Sequence, residues 1–383
     1  MRRLLTLCCA VVLADTMLYA ALTPLLPELA RENGLSKGGS GLLVAAFAAG
    51  ALVAALPSGV VASRFGPKTA VLLGLSLMTA ASLGFSLAGN AWLLGLARFV
   101  QGTGSTMSWA GASTWLVTAA PRERRGQVLG TAISAAVGGA LLGPVIGAVA
   151  SLVGIEPTFA VLSATGAALV VWTLVTPGVA PDPQPLRTLW RVCRTPTFLG
   201  SVWLMLLPSL LFGVLAVLVP LHLASVGWGA AAIGALFLVG AGAEVVMHPL
   251  LGRYSDRRGR LAPMRVALVC SAGISVGLAW ADGAALVAAL AFGGFLAYGS
   301  FFTPASALAS DAAEHAGLTQ GLAFGVVNGA WALGNAVGPS VGGGLADVAG
   351  DALPWLLCAA ICLGTFVVLR RAGTRIAGVP ESA

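Results

Sequence analysis

The stretch Gly252-Arg253-Tyr254-Ser255-Asp256-Arg257-Arg258-Gly259-Arg260 decides how this chain folds. It follows one long apolar run and precedes another. A counterpart, Gly59-Val60-Val61-Ala62-Ser63-Arg64-Phe65-Gly66-Pro67-Lys68, stands 193 positions earlier in the same setting. A second series repeats as well. Gly130, Gly139, Gly143, Pro144 and Gly147 recur as Gly325, Gly334, Gly338, Pro339 and Gly342, each 195 positions later. Agreement of a five-point spacing marks an internal repeat: two similar helical units laid in the same direction along the chain.

Composition says where those units reside. Charged residues make up 9% of the 383 positions and apolar residues 58%, with 51 Gly besides. An ordinary soluble domain carries roughly 25% charge. A surface this poor in charge suits a lipid bilayer, whose hydrocarbon core takes roughly 20 apolar residues per helix. The apolar runs and their breakers predict twelve spans, at 4–29, 40–62, 69–88, 91–117, 128–153, 158–175, 198–225, 230–251, 264–281, 283–309, 317–341 and 352–369. The expected fold is an all-α membrane protein of two pseudo-symmetric six-helix bundles. These are an N-terminal half over 1–176, a Pro-rich then basic cytoplasmic linker over 177–197, and a C-terminal half over 198–383.

The shortest break, Gly89-Asn90, tests this count. Residues 69–122 are far longer than one helix can use in a bilayer about 30 Å thick, so a turn is required there. Basic residues agree. With the N-terminus in the cytoplasm, 18 Lys and Arg fall on the cytoplasmic side, and only Arg31 and Lys37 fall outside. Merging spans three and four would destroy that bias. Both termini are therefore expected in the cytoplasm, in a cell inner membrane. The same rule accounts for the net charge of +7 without nucleic acid. The apolar run after Met1-Arg2-Arg3 is too long for a signal peptide and reads as an uncleaved first span. Cys8, Cys9, Cys270, Cys358 and Cys362 lie in apolar spans and read as small hydrophobes. No metal-ligand spacing and no Walker-type loop is present, so neither a metal, a cofactor nor ATP drive is expected. No enzyme motif appears either. Nothing calls for a second copy, and a monomer is expected.

On these motifs the chain resembles the major facilitator superfamily over essentially its whole length. Gly252, Asp256, Arg257, Gly259 and Arg260 match the family's gating-loop pattern in full. The first copy keeps Gly59, Arg64 and Gly66 but has Ser63 in place of Asp and Pro67 in place of a basic residue. The resemblance therefore implies that the second copy carries more of a cytoplasmic latch. Gly130, Gly139, Gly143, Pro144 and Gly147 look like the antiporter motif of the twelve-helix drug/proton antiporter branch. The same spacing in span eleven makes it a packing signature too. Arg98-Phe99-Val100-Gln101-Gly102 is similar to the branch's arginine motif. Asp15-Thr16-Met17-Leu18-Tyr19, with Thr23-Pro24 and Pro27, is similar to the first span of multidrug and tetracycline exporters. The resemblance implies a proton-coupled antiporter that exports small lipophilic or cationic compounds by alternating access.

Ionisable groups inside apolar spans are costly and tend to be functional. Asp15 lies 12 residues beyond Arg3, about 18 Å along a helix and hence near the midplane. It is the first candidate for binding a proton or cation. Arg98 sits about 12 Å into span four and could pair with an acid. Glu244 and His248 are four apart, hence on one helix face, and form a plausible proton relay. Tyr19, Gln101, Trp109, Tyr298, Asn328, Trp331 and Asn335 are candidates for lining a substrate pocket, with Phe301 and Phe302 beside Tyr298. Two other readings stay open: a metabolite symporter or facilitator of the same fold, and a membrane sensor or scaffold that transports nothing.

Overall fold

A computed structural model describes residues 1–121, 124–180, 196–259, 261–306, 308 and 320–371. Arg260 and most of the linker lie outside these residues, as does the Asp256 side chain. The described chain is almost wholly helical: α1 (Arg2–Ala20), α2 (Leu22–Glu32), α3 (Lys37–Phe65), α4 (Pro67–Ser86), α5 (Ala91–Ala119), α6 (Arg125–Val153), α7 (Ile155–Val175), α8 (Pro196–Ser225), α9 (Ala230–Arg258), α10 (Leu261–Ala279), α11 (Ala284–Gly299), α12 (Gln320–Ala349) and α13 (Ala352–Arg371). Taken as one segment, α1 and α2 make the first of twelve spans.

Among the described residues, ten segments are long and apolar enough to cross a membrane. The two others are α5 and α12. Polar residues such as Arg98, Gln101, Asn328 and Asn335, with many glycines, dilute their hydropathy. Large apolar side chains are exposed along the helices, Leu56, Leu96, Leu152 and Val171 among them. Lipid is the solvent that tolerates such a surface. Trp92 (89% exposed) and Trp280 (65%) stand at helix ends, where an indole suits the membrane interface.

The turns are built from glycine. Gly34, Gly66, Gly154, Gly227, Gly259 and Gly350 have positive φ, which other residues rarely adopt. They form three pairs, Gly34 with Gly227, Gly66 with Gly259, and Gly154 with Gly350, at offsets of 193, 193 and 196. The repeat is thus written into the backbone as well as the motifs. Elsewhere the breaks have local causes. The α4–α5 break, inferred from length and from the basic-residue bias, is fixed by Asn90. Its side chain accepts the Leu93 N–H at 3.0 Å and caps α5. Span one, read as continuous, is broken at Ala21. Pro24 lacks the N–H that would bond the Ala20 carbonyl.

The chain divides into two compact units. One comprises Met1–Leu35, Leu42–Gln184 and Gly229–Leu238, and the other Ser36–Gly41, Pro185–Trp228 and Val239–Ala383. In the first unit α6 lies on α1. A Cβ at Gly139, Gly143 or Gly147 would strike α1–α2 backbone or side chains at Leu13, Ala20 and Ala21. In the second unit α12 lies on α8 the same way, with Gly334 and Gly338 against the backbone of Leu206 and Leu210. Gly130 has open space around it and takes no part. The antiporter-type spacing therefore acts here as a close-packing stripe, once in each unit.

Within the second unit Asp347, near the end of α12, caps the start of α3. Its carboxylate accepts the Lys37 and Gly38 N–H groups at 2.9 and 2.8 Å. Lys37 pairs with Asp351 at 2.5 Å. Partial desolvation raises the Asp347 pKa. The Ser36 hydroxyl, those two amides and the Lys37 charge outweigh it and hold the carboxyl below its usual range.

Candidate functional site

The sequence candidates gather into two clusters, one in each unit. The first is a clamp of α5 on α1. Arg98 is 2% exposed. It reaches across to the backbone at the end of α1, donating to the Leu18 carbonyl at 3.2 Å and the Tyr19 carbonyl at 3.3 Å. It also donates to Gln101 Oε1 at 3.1 Å, and Gln101 passes the chain on to Ser82 at 3.2 Å. The Phe47 ring lies 4.8 Å below the guanidinium and 5.0 Å from the Tyr19 ring. This cluster corrects the expectation that Arg98 pairs with an acid. Among the described residues its partners are carbonyls and an amide. The end of α1, at its break from α2, supplies those acceptors.

Asp15 lies one turn below these carbonyls on α1, 5% exposed. The Ser105 hydroxyl, seven residues beyond Arg98 on α5, hydrogen-bonds its carboxyl. Oδ1 has no hydrogen-bond partner among the described residues. Helix α5 thus holds α1 at two levels, by Arg98 and by Ser105. Next to Asp15, Thr16 donates to the Ala136 carbonyl at 2.7 Å and ties the same turn to α6. Trp109 is half-buried against the core around Leu4, Val11 and Trp115.

The second cluster joins α9 to α11 and to the short helical stretch that follows it. His248 Nε2 lies 3.3 Å from Glu244 Oε1, and Nδ1 lies 2.7 Å from Thr303 Oγ1. The pairing of Glu244 with His248 follows from their spacing. Thr303 does not, because it depends on how two distant helices align. Tyr298 is fully buried, with its hydroxyl 3.1 Å from Ser275 and its ring edge-on to Phe212 at 5.6 Å. Phe301 is likewise wholly buried. Asn335 donates to the Trp331 carbonyl at 3.1 Å, while Asn328 and Trp331 are half-buried on α12. Gly252 and Arg257 lie on the last turns of α9, ahead of the Gly259 turn, while Gly59 and Arg64 lie on α3 ahead of Gly66. No group of three metal-ligating side chains occurs among the described residues.

Helical spans, paired glycine stripes and buried ionisable clusters together define a polytopic carrier. The chain belongs to the Major Facilitator Superfamily, matching that family over residues 7–324. It is 25% identical over 363 residues to the quinolone resistance protein NorA of Staphylococcus aureus strain MRSA252, covering 90% of each chain. Its fold is similar to that of a bacterial homolog of the human lysosomal transporter Spinster, solved in an inward-facing and unoccupied conformation. The TM-score is 0.79 at 14% identity, over 99% of this chain and 98% of that one. It is also similar to the nucleoside transporter NupG, with a TM-score of 0.74 at 14% identity over 98% and 99% of the two chains. The protein is thus a multi-pass membrane transporter of this superfamily.

Proposed function

We propose that this protein is a proton-coupled antiporter that exports small lipophilic or cationic compounds across the cell membrane by alternating access. The observation that carries the reading is Asp15. It is a carboxyl in the middle of an apolar span, held by one hydroxyl, with its other oxygen unpartnered among the described residues. A group so placed is costly to keep charged without water or a partner, and it gains by taking a proton. Arg98 stabilises the backbone one turn away and sets α1 against α5. The similarity to NorA, named for quinolone resistance, supports export of drug-like molecules. In this reading the termini are cytoplasmic, the protein works as a monomer, and the loop from Gly252 to Arg260 latches one access state.

Everted membrane vesicles test the reading directly. A proton gradient should drive uptake of an exported dye by the wild-type protein. Asp15→Asn should abolish that uptake while inserting normally. Full gradient-driven uptake by Asp15→Asn would remove the proton role.

A further inference from the structure

Helices α9 and α11 meet in a three-step register. Gly240 faces the Phe295 ring, Glu244 faces Gly299, and His248 faces Thr303. Each step is four residues in sequence, one helical turn on α9; on the other side the first two residues lie on α11, and Thr303 lies past the Ser300–Phe301 turn that ends it. The first two steps are reciprocal. On α9 the missing side chain of Gly240 makes room for Phe295. On α11 the missing side chain of Gly299 makes room for the Glu244 carboxylate, which a Cβ there would strike. Glu244 is thereby laid flat on α11, between an aromatic ring one turn before Gly299 and a His–Thr pair reached four residues after it, past the end of α11.

The surroundings of this carboxylate point to a ligand. Its one hydrogen bond among the described residues comes from His248, and no Lys or Arg there lies within ion-pair distance of it. It is not sealed off. The Glu244 side chain is 15% exposed and that of His248 31%. Aromatic rings stand one register step away, at Phe295 against Gly240. Phe212 packs on Phe295 at 5.6 Å and stacks on Phe302 at 6.0 Å with a 16° tilt. Phe302 is three residues beyond Gly299, just past the Ser300–Phe301 turn that ends α11, and Phe212 carries the ring stack from there to Phe295. Ring faces carry negative electrostatic potential and attract cations, most of all where water is thin. An unmatched carboxylate beside stacked phenyl rings is chemistry for an organic cation.

We propose that Glu244, with Phe212, Phe295 and Phe302, is the site that holds the positive charge of an exported organic cation, and that Asp15 is left to the proton. The proposal rests on the export reading above and names its substrate class. His248 acts as a positioning residue. It draws Glu244 Oε1 toward Thr303 and yields that oxygen when a cation arrives. Gly299 is a positioning residue too, since it alone lets the carboxylate lie against α11.

The test is equilibrium binding of tetraphenylphosphonium to the purified full-length protein in lipid nanodiscs, with no gradient applied. Tetraphenylphosphonium offers charge and aromatic surface and no hydrogen-bond donor, as this site requires. Glu244→Gln should weaken binding at least tenfold, and Glu244→Asp should retain part of it. Gly299→Ala should weaken binding several-fold although it removes no ligand-binding group. Should Glu244→Gln fail to insert, the comparison of Glu244→Asp with Gly299→Ala carries the same decision, with thermal unfolding as the control for folding. Unaltered affinity in the folded Glu244 and Gly299 variants would overturn the proposal, as would a wild-type protein that does not bind tetraphenylphosphonium. Wild-type binding without gradient-driven efflux would refute the export reading and leave the cation site standing.

Discussion

Gly66 and Gly259 stand 193 positions apart and share one backbone state, at φ +92° and +84°. Each forms the sharp turn between two spans, and each is the last glycine of its copy of the loop motif. Gly66 combines that φ with ψ 152°, a region open essentially to glycine alone. Gly59, the first glycine of the same motif, is helical with open space around it. Gly66→Ala and Gly259→Ala should each cost about 1–3 kcal/mol. Gly59→Ala should stay within about 0.5 kcal/mol of wild type. Thermal unfolding of the three proteins in one detergent separates them, and equal losses would show the motif glycines to be interchangeable.

The glycine series in α6 separates in the same way. A methyl group at Gly139 meets the Leu13 carbonyl and Thr16 of α1, whereas Gly130 faces open space. We expect Gly139→Ala to lower the yield of folded protein sharply and Gly130→Ala to leave it unchanged. Size-exclusion profiles of the extracted proteins report this. A folded, fully stable Gly139→Ala would show that α1 and α6 can separate without loss.

Arg98 uses the two arms of its guanidinium on two carbonyls and an amide. Lysine keeps the charge but presents a single point in place of a fork. Hydrogen bonds to charged groups are worth about 1.5–3 kcal/mol each. Arg98→Lys should therefore lose about one such bond, read as a lower Tm. Proteolysis near the α1–α2 break should quicken in the same variant. If stability is unchanged, Leu18 and Tyr19 have other donors.

Asp347 gives a dependence on pH. Its carboxyl is held below the usual range, so its stabilising contribution is present at neutral pH and is lost as pH falls through its depressed value. The Tm difference between wild type and Asp347→Asn should stay constant from about pH 8 to 5 and shrink only below about pH 4. A difference that grows on acidification would have the wrong sign for a depressed carboxyl.

Much of this was legible in the residues, and what was hidden follows one rule. Spans, breaks and the repeat are local or periodic, and Gly89-Asn90 shows how far that reaches. Length and the basic-residue bias demanded the turn, and the Asn90 cap supplies it. The alignment of Glu244 with His248 was readable because four residues make one turn. Their third partner, Thr303, lies 55 positions beyond His248, and Ser105 lies 90 beyond Asp15. Those meetings depend on the rotation and register of neighbouring helices, which hydropathy does not encode. Arg98 shows the limit most clearly. A buried cation suggests an anion, yet this one found its acceptors at the end of α1, in the Leu18 and Tyr19 carbonyls, which carry no formal charge.

The glycine stripe between α1 and α6 has a mechanical consequence. Where Gly139 and Gly147 rest, the backbones approach closely, the Leu13 and Ala21 carbonyls lying against the glycines with only the Thr16 and Pro24 side chains beside them. Asp15 is mounted on this stiff pair, one residue before the Thr16 bond to Ala136. A gain or loss of charge at Asp15 has little local slack to dissipate in. The strain would pass along the two helices as though along one beam, and be felt at their far ends.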